Sequence, residues 1–255
     1  MGQHGEHRTL VRWAGIAALA AILHSAPAGA ICRQALSLGL DVSGSVDRRE
    51  YALQIEGIAA ALRDLEVQKA FLAMPAATVR LHIYEWAGPG SKRVLFGWTD
   101  VTARQDLDRA AQTLEDLDAR RPREPGTALG DAILFGAQAL SQQRDCWRRT
   151  LDISADGPSN TGPRPREVRD SPLLSGATIN ALVVGSPQGG TTIDANLAPL
   201  VAYFRSEVIQ GPQAFVEVTA SYADYKSAIT RKLLRELQTL AIGVLPERPP
   251  KAGAG

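Results

Sequence analysis

The sequence predicts an α/β fold: a mostly parallel, six-stranded sheet with helices on both faces. Three observations lead there. Short apolar runs alternate with amphipathic stretches along the chain, which calls for right-handed crossovers and parallel strands covered on two sides. The first run, "ALSLGLDV" (35–42), is too apolar to have a wet face. Of the 255 residues, about 225 remain once an N-terminal leader is set aside, enough for one sizeable domain.

In chain order, the strand at 35–42 is followed by "DRREYALQIEGIAAALRDL" (47–65), with Tyr51, Ile55, Ile58 and Leu62 at helical spacing. "TVRLHIYEW" (78–86) alternates as a strand does, and "GPG" turns it back into "KRVLFGW" (92–98), a hairpin. Helices follow at 102–117 and 127–143, the second after a Pro/Gly-rich loop. Strands at 146–156 and 177–185 bracket a helix at 165–175. A helix at 193–206, a strand at 214–219 and a closing helix at 221–240 complete the set. There is no internal repeat and no interdomain linker.

Residues 1–30 read as a cleavable export signal, cut after Ala30. Arg8 and Arg12 precede the apolar "WAGIAALAAIL", and small residues stand at Ala28 and Ala30. The apolar stretch is shorter than the ~20 residues a membrane span needs, although an uncleaved anchor is the other reading. Bulky Ile31 argues against lipid modification at Cys32. The domain is expected over 31–245, with "PERPPKAGAG" (246–255) a disordered tail. The whole chain carries a net charge of +1. Losing Arg8, Arg12 and Glu6 with the leader makes it neutral, which gives no case for nucleic acid or an anionic membrane as partner. The expected location is therefore periplasmic or extracellular.

In an α/β sheet, ligands bind beyond the carboxyl ends of the strands. Asp41 ends the first strand, Asp156 the fourth, and both fall on that rim. Ser43 and Ser45 follow Asp41, and Thr127 opens a helix in "PGTALGDAI". Hydroxyls mixed with carboxylates suit a hard cation, Mg²⁺ or Mn²⁺. Zinc is disfavoured, since His4, His7 and His24 leave with the signal and His82 cannot build a histidine site alone. Each piece has a second reading. Ser43, Ser45 and Asp47 are favoured helix caps, Thr127 is another, and Asp156-Gly157 suits an ordinary turn.

D-x-S-x-S closing the first strand, a Thr opening a later helix and D-G-x-x-N after the fourth strand together resemble the metal-ion-dependent adhesion site (MIDAS) of von Willebrand factor type A (VWA) domains. The resemblance covers about residues 35–242. It is closer still to an uncharacterised bacterial family of exported proteins built on that domain, through "ALSLGLDVSGSV", "CWRRTLDISADG" and "FVEVTASYADYKSAITRKLLREL". It implies a doubly wound sheet with the first and fourth strands adjacent and the strand at 92–98 an antiparallel edge. It also implies that Ser43, Ser45 and Thr127 offer hydroxyls to the ion, with Asp41 and Asp156 acting directly or through water. Pro125 departs from the pattern, standing where relatives often have Gly, and would stiffen the Thr127 loop.

Given that adjacency, Cys32 lies nine residues before Asp41 and Cys146 ten before Asp156. Both then start at one level on the opposite rim, within reach of a disulfide. Two free thiols are the alternative, less suited to an oxidising compartment.

So few carboxylates leave residual positive charge on a divalent ion, which an Asp or Glu of a partner protein would satisfy. Trp86 at the hairpin tip, and Arg121, Arg123, Arg164 and Arg166 in two arginine-rich loops, are candidate partner contacts. Hairpin packing for Trp86 and solvated charge for the arginines are the other readings. His82 is expected to be scaffold. Enzyme chemistry is not expected. Ser43 stands where an aspartate-based phosphoryl-transfer site needs a second acid, and no G-x-S-x-G elbow or phosphate loop is present. The leading expectation is a metal-dependent binding module. A metal-independent envelope scaffold is the alternative, and a phosphoester hydrolase trails both.

Overall fold

The computed structural model describes residues 1–2, 31–117, 125–185 and 193–238. Most of the stretch expected to be a leader (3–30), the expected tail at 246–255, Arg121 and Arg123 lie outside the described residues. Strands β1 (Ile31–Asp41), β2 (Ala77–Trp86), β3 (Lys92–Val101), β4 (Arg148–Ala155), β5 (Ala177–Val184) and β6 (Val216–Thr219) form one sheet, in the order β3-β2-β1-β4-β5-β6. Five are parallel, and β3 runs antiparallel to β2 in the predicted hairpin, at one edge as the resemblance implies.

Seven α-helices flank the sheet among the described residues: α1 (Arg48–Leu62), α2 (Leu65–Phe71), α3 (Arg104–Glu115), α4 (Leu129–Ser141), α5 (Pro165–Arg169), α6 (Ile193–Tyr203) and α7 (Tyr225–Gln238). Two cores result. Leu36, Leu38 and Leu40 of β1 pack with Ile55 and Ile58 of α1, Leu107 of α3 and Leu233 of α7. Ala35, Leu151 and Ile153 pack on the other side with Ile133, Ala137 and Leu140 of α4. Being apolar on both faces, β1 is buried along its whole length after Ile31.

The register sets the functional rim. Leu40 is level with Ser154 and Asp41 with Trp86, so Asp41 and Asp156 emerge side by side. At the other end, Cys32 and Cys146 form a disulfide with Cα atoms 4.5 Å apart. Cys146 precedes β4 rather than opening it, and Trp147 N–H donates to the Cys32 carbonyl at 3.0 Å.

Three elements differ from expectation. The helix expected over 165–175 stops at Arg169, and a 3₁₀ turn follows at Pro172–Leu174, because Pro172 cannot donate to a continuing helix. The helix at 193–206 divides into α6 and a π turn over Phe204–Val208, closed by Ile209 N–H to the Phe204 carbonyl at 3.0 Å. Helix α2 was not anticipated. Asp64 caps its start, and its last carbonyls, on Ala70 and Phe71, accept from the Arg33 guanidinium of β1 at 2.6 and 3.0 Å.

Candidate metal centre

Local capping decides what the hydroxyls after β1 are free to do. Asp47 caps α1: its Oδ1 accepts from Arg49 N–H at 2.7 Å and Glu50 N–H at 2.9 Å. Glu50 returns the bond by accepting from Asp47 N–H at 2.8 Å, a closed capping box. Ser43 and Ser45 are therefore not the cap. The same holds at α4, where Thr127 lies before the N-cap residue Ala128 and the Leu129 N–H donates to Ser159 Oγ at 3.2 Å.

The released oxygens converge. Thr127 Oγ1 donates to Ser43 Oγ at 3.3 Å, Ser43 Oγ lies 3.1 Å from Ser45 Oγ, and Ser45 Oγ donates to Asp156 Oδ1 at 2.8 Å. Asp41 joins through its Oδ1, which accepts from Ser43 N–H at 2.8 Å. All five residues singled out from the sequence thus meet on one rim. Asp41 is 0% exposed, yet its Oδ2 has no hydrogen-bond partner. A buried carboxylate oxygen left so is costly. A cation held among these oxygens supplies the missing counter-charge, so the residues fit a hard ion. Among the described residues no group of three or more His, Cys, Asp or Glu stands together. The donors gathered here are hydroxyl and carboxylate oxygens, chemistry that suits a hard cation.

Burial, and then the nearby Asp156 charge, push the Asp41 carboxyl up to about 7. Asp156 is also raised, by burial first and then by Glu50.

The Thr127 loop is held from two sides. Thr127 N–H donates to Asn160 Oδ1 at 2.8 Å, and Asn160 N–H donates back to the Thr127 carbonyl at 3.0 Å. On the hairpin side, Ala128 N–H donates to the Ala87 carbonyl at 2.9 Å. Gly88 allows that approach: a Cβ there would lie 2.3 Å from the Pro125 carbonyl oxygen. Gly126 has φ +85°, a conformation that favours glycine.

Sequence reading missed two contributors. Gln54 of α1 is buried and donates to the Asp41 carbonyl at 3.0 Å. Tyr222 is 3% exposed with its hydroxyl unpartnered. Burial, then the charges of Asp156 and Asp41, raise that phenol. A lone Gln at helical spacing and a Tyr opening the last helix carry no signal of a rim that only the fold assembles.

One expectation is corrected. Trp86 is 1% exposed and belongs to the core under α4, so it packs the hairpin and does not face a partner. It ends β2 beside Asp41, where burying its large apolar surface outweighs display. Arg164 and Arg166 are exposed at the start of α5, and Arg166 Nε lies 3.8 Å from Glu207 Oε2. His82 is buried scaffold, with its Nδ1 2.9 Å from Ser37 Oγ and its ring stacked on Trp98. Glu85 is committed to Arg93 at 2.9 Å and to the Tyr51 hydroxyl at 3.2 Å.

The sheet order gives an α/β fold like that of VWA domains, and solved structures bear out the fold. Proximal thread matrix protein 1 from the mussel byssus is 14% identical at TM-score 0.57, over 82% of this chain and 48% of that one. It has also been solved with zinc in its MIDAS motif. The pilus adhesin SpaC of Lactobacillus rhamnosus GG, in its open conformation, is 13% identical at TM-score 0.54, over 82% and 30%. A von Willebrand factor type A protein from Catenulispora acidiphila is 12% identical at TM-score 0.50, over 81% and 43%. The chain thus spans half or less of each of these three. A search of the curated proteins finds no match. A family model described as "Protein of unknown function (DUF1194)" matches residues 31–241, and the chain belongs to that family.

Proposed function

We propose that this protein is an exported binding module that captures an acidic residue of a partner protein through a divalent cation. One observation carries the reading: a fully buried Asp41 carboxylate with an unsatisfied oxygen, adjoining three hydroxyls and a second carboxylate. Ser43, Ser45 and Thr127 would hold the ion, with Asp41 and Asp156 bound directly or through water. The bound ion supplies residual positive charge toward an outside carboxylate. Arg164 and Arg166 would add to that field.

Binding is favoured over catalysis because Ser43 occupies the place of a second acid, and His82, the one histidine among the described residues, is tied to Ser37. Export rests on the basic and apolar residues of 1–30, and among the described residues no helix is long and apolar enough to cross a membrane. The ion is read as Mg²⁺ or Mn²⁺. The zinc-filled motif of the mussel protein makes zinc the comparison to run beside them. The test is a pull-down from cell-envelope extract with Mg²⁺ or with EDTA, using the wild type and Asp41→Ala. A protein retained only by the wild type, and only with the ion, supports the proposal. Capture indifferent to both favours a metal-independent scaffold.

A further inference from the structure

Lys232 of α7 reaches the sheet at Asp152 of β4, which stands level with Leu38 of β1 and Asn180 of β5. Its Nζ lies 2.6 Å from Asp152 Oδ1 and 2.8 Å from Oε1 of Glu236, one helical turn further along α7. Asn180 Nδ2 donates to that same Glu236 oxygen at 2.7 Å, which fixes the carboxylate beside the amine. Lys232 is 0% exposed, and Asp152 and Glu236 are 2% exposed. The metal rim uses none of the three.

Such a triad is a costly way to hold a helix on a sheet. Charges taken out of water are compensated only when their remaining hydrogen-bonding sites are satisfied. Here neither Asp152 oxygen has an aligned hydrogen bond, and Glu236 Oε2 has no partner. The same arrangement holds the parts for amide formation. The amine is a nucleophile, and the carboxyl carbon it would attack is one bond beyond Oδ1. Holding the two in contact replaces a chance encounter. Glu236 touches the amine and stands within reach to act as its base. Burial, and then the Glu236 charge, push the Asp152 carboxyl up to about 7, so its un-ionised, electrophilic form is populated near neutrality. Burial opposes the Lys232 ammonium, but the two carboxylates outweigh it and raise that group. Its proton must therefore pass to a base in contact, which Glu236 is. Exclusion of water then shields the product from hydrolysis.

We propose that Lys232 and Asp152 become joined by an isopeptide bond formed within the folded chain, with Glu236 relaying the protons. Glu236 takes one proton from the ammonium, and the freed amine attacks Asp152 Cγ to form the Nζ–Cγ bond. Glu236 gives that proton to the Cγ hydroxyl, the Cγ–O bond breaks, and water leaves. A second proton passes from nitrogen to Glu236, which ends neutral beside a neutral amide. The bond fastens the closing helix α7 to β4, the strand that leads to Asp156.

Tryptic mapping of the purified full chain by mass spectrometry, after unfolding and disulfide reduction, tests it. The expected product is a branched peptide in which Lys232, no longer cut by trypsin, carries the Asp152 segment, one water lighter than the two apart. Asp152→Ala should restore cleavage at Lys232. Glu236→Gln, checked for folding by circular dichroism, should leave the two segments separate. Should that variant not fold, the wild-type map alone decides. Separate, unmodified peptides from the folded wild type would overturn the inference, as would a branch to Asn180 with loss of ammonia. A bond formed as fully in folded Glu236→Gln would overturn the proton relay. None of these results touches the metal reading, because the map reads a covalent bond away from that rim.

Discussion

Ser45 Oγ donates to Asp156 Oδ1 at 2.8 Å, joining the loop after β1 to the loop after β4 across 111 residues of sequence. This bond places a hydroxyl and a carboxylate at one point with no covalent help. Ser45→Ala should lower stability without metal by only about 1 kcal/mol, the net worth of one such bond. Its larger effect should be on the response to Mg²⁺ or Mn²⁺, with affinity falling tenfold or more, read by thermal shift against ion concentration. An unchanged ion response would remove Ser45 from the site.

Gly88 tests whether the hairpin positions Thr127. In Gly88→Ala the new Cβ would sit 2.3 Å from the Pro125 carbonyl oxygen, a backbone atom that cannot swing aside. We expect a loss of about 1–3 kcal/mol in urea unfolding, the usual range for overpacking, together with weakened ion binding. Gly90→Ala, in the same hairpin, lacks any such contact and has only its φ of +79° to oppose it. It should cost stability while sparing the ion.

The disulfide should matter to stability alone. It closes a separation of 114 residues, for which loop-closure entropy suggests roughly 5 kcal/mol. Cys32→Ser with Cys146→Ser should lose about that in denaturant while keeping the metal-induced gain, because the bridge lies on the opposite rim.

His82 gives a pH signature. Burial depresses its pKa from 6.5 to about 4, so the folded protein prefers the neutral ring. The unfolded chain binds the extra proton between those values, so stability is full above about pH 6.5 and falls as pH drops toward 4. The loss amounts to about 3 kcal/mol at about 1.4 kcal/mol per unit. His82→Leu should flatten that part of the stability–pH curve, at a cost near 1 kcal/mol for the orphaned Ser37 hydroxyl. Unfolding followed from pH 7 to pH 4 checks it.

Much of this was legible because it is local. The apolar run to Asp41, the turn at "GPG" and the alternation of strands and helices place both aspartates on one rim without any knowledge of long-range contacts. Pairing of Cys32 with Cys146 followed from strand adjacency, which the family resemblance supplied. What stayed hidden depends on distant partners. Helix α2 has only seven residues, and it leans on Arg33 from β1 to satisfy its final carbonyls. The sequence leaves Trp86 open between partner contact and hairpin packing, and its burial beside Asp41 decides for packing. The contact of Lys232 with Asp152 joins α7 to β4, a pair with no spacing to read.

The most direct test of the metal site is calorimetric unfolding of the wild type and Asp41→Ala with and without saturating Mg²⁺ or Mn²⁺. An ion at about a hundred times its dissociation constant should stabilise the wild type by about 2.7 kcal/mol, a rise of some 5–10 °C for a domain of this size. The variant should gain nothing. A wild type that ignores both ions, or a variant that gains as much, would contradict the account.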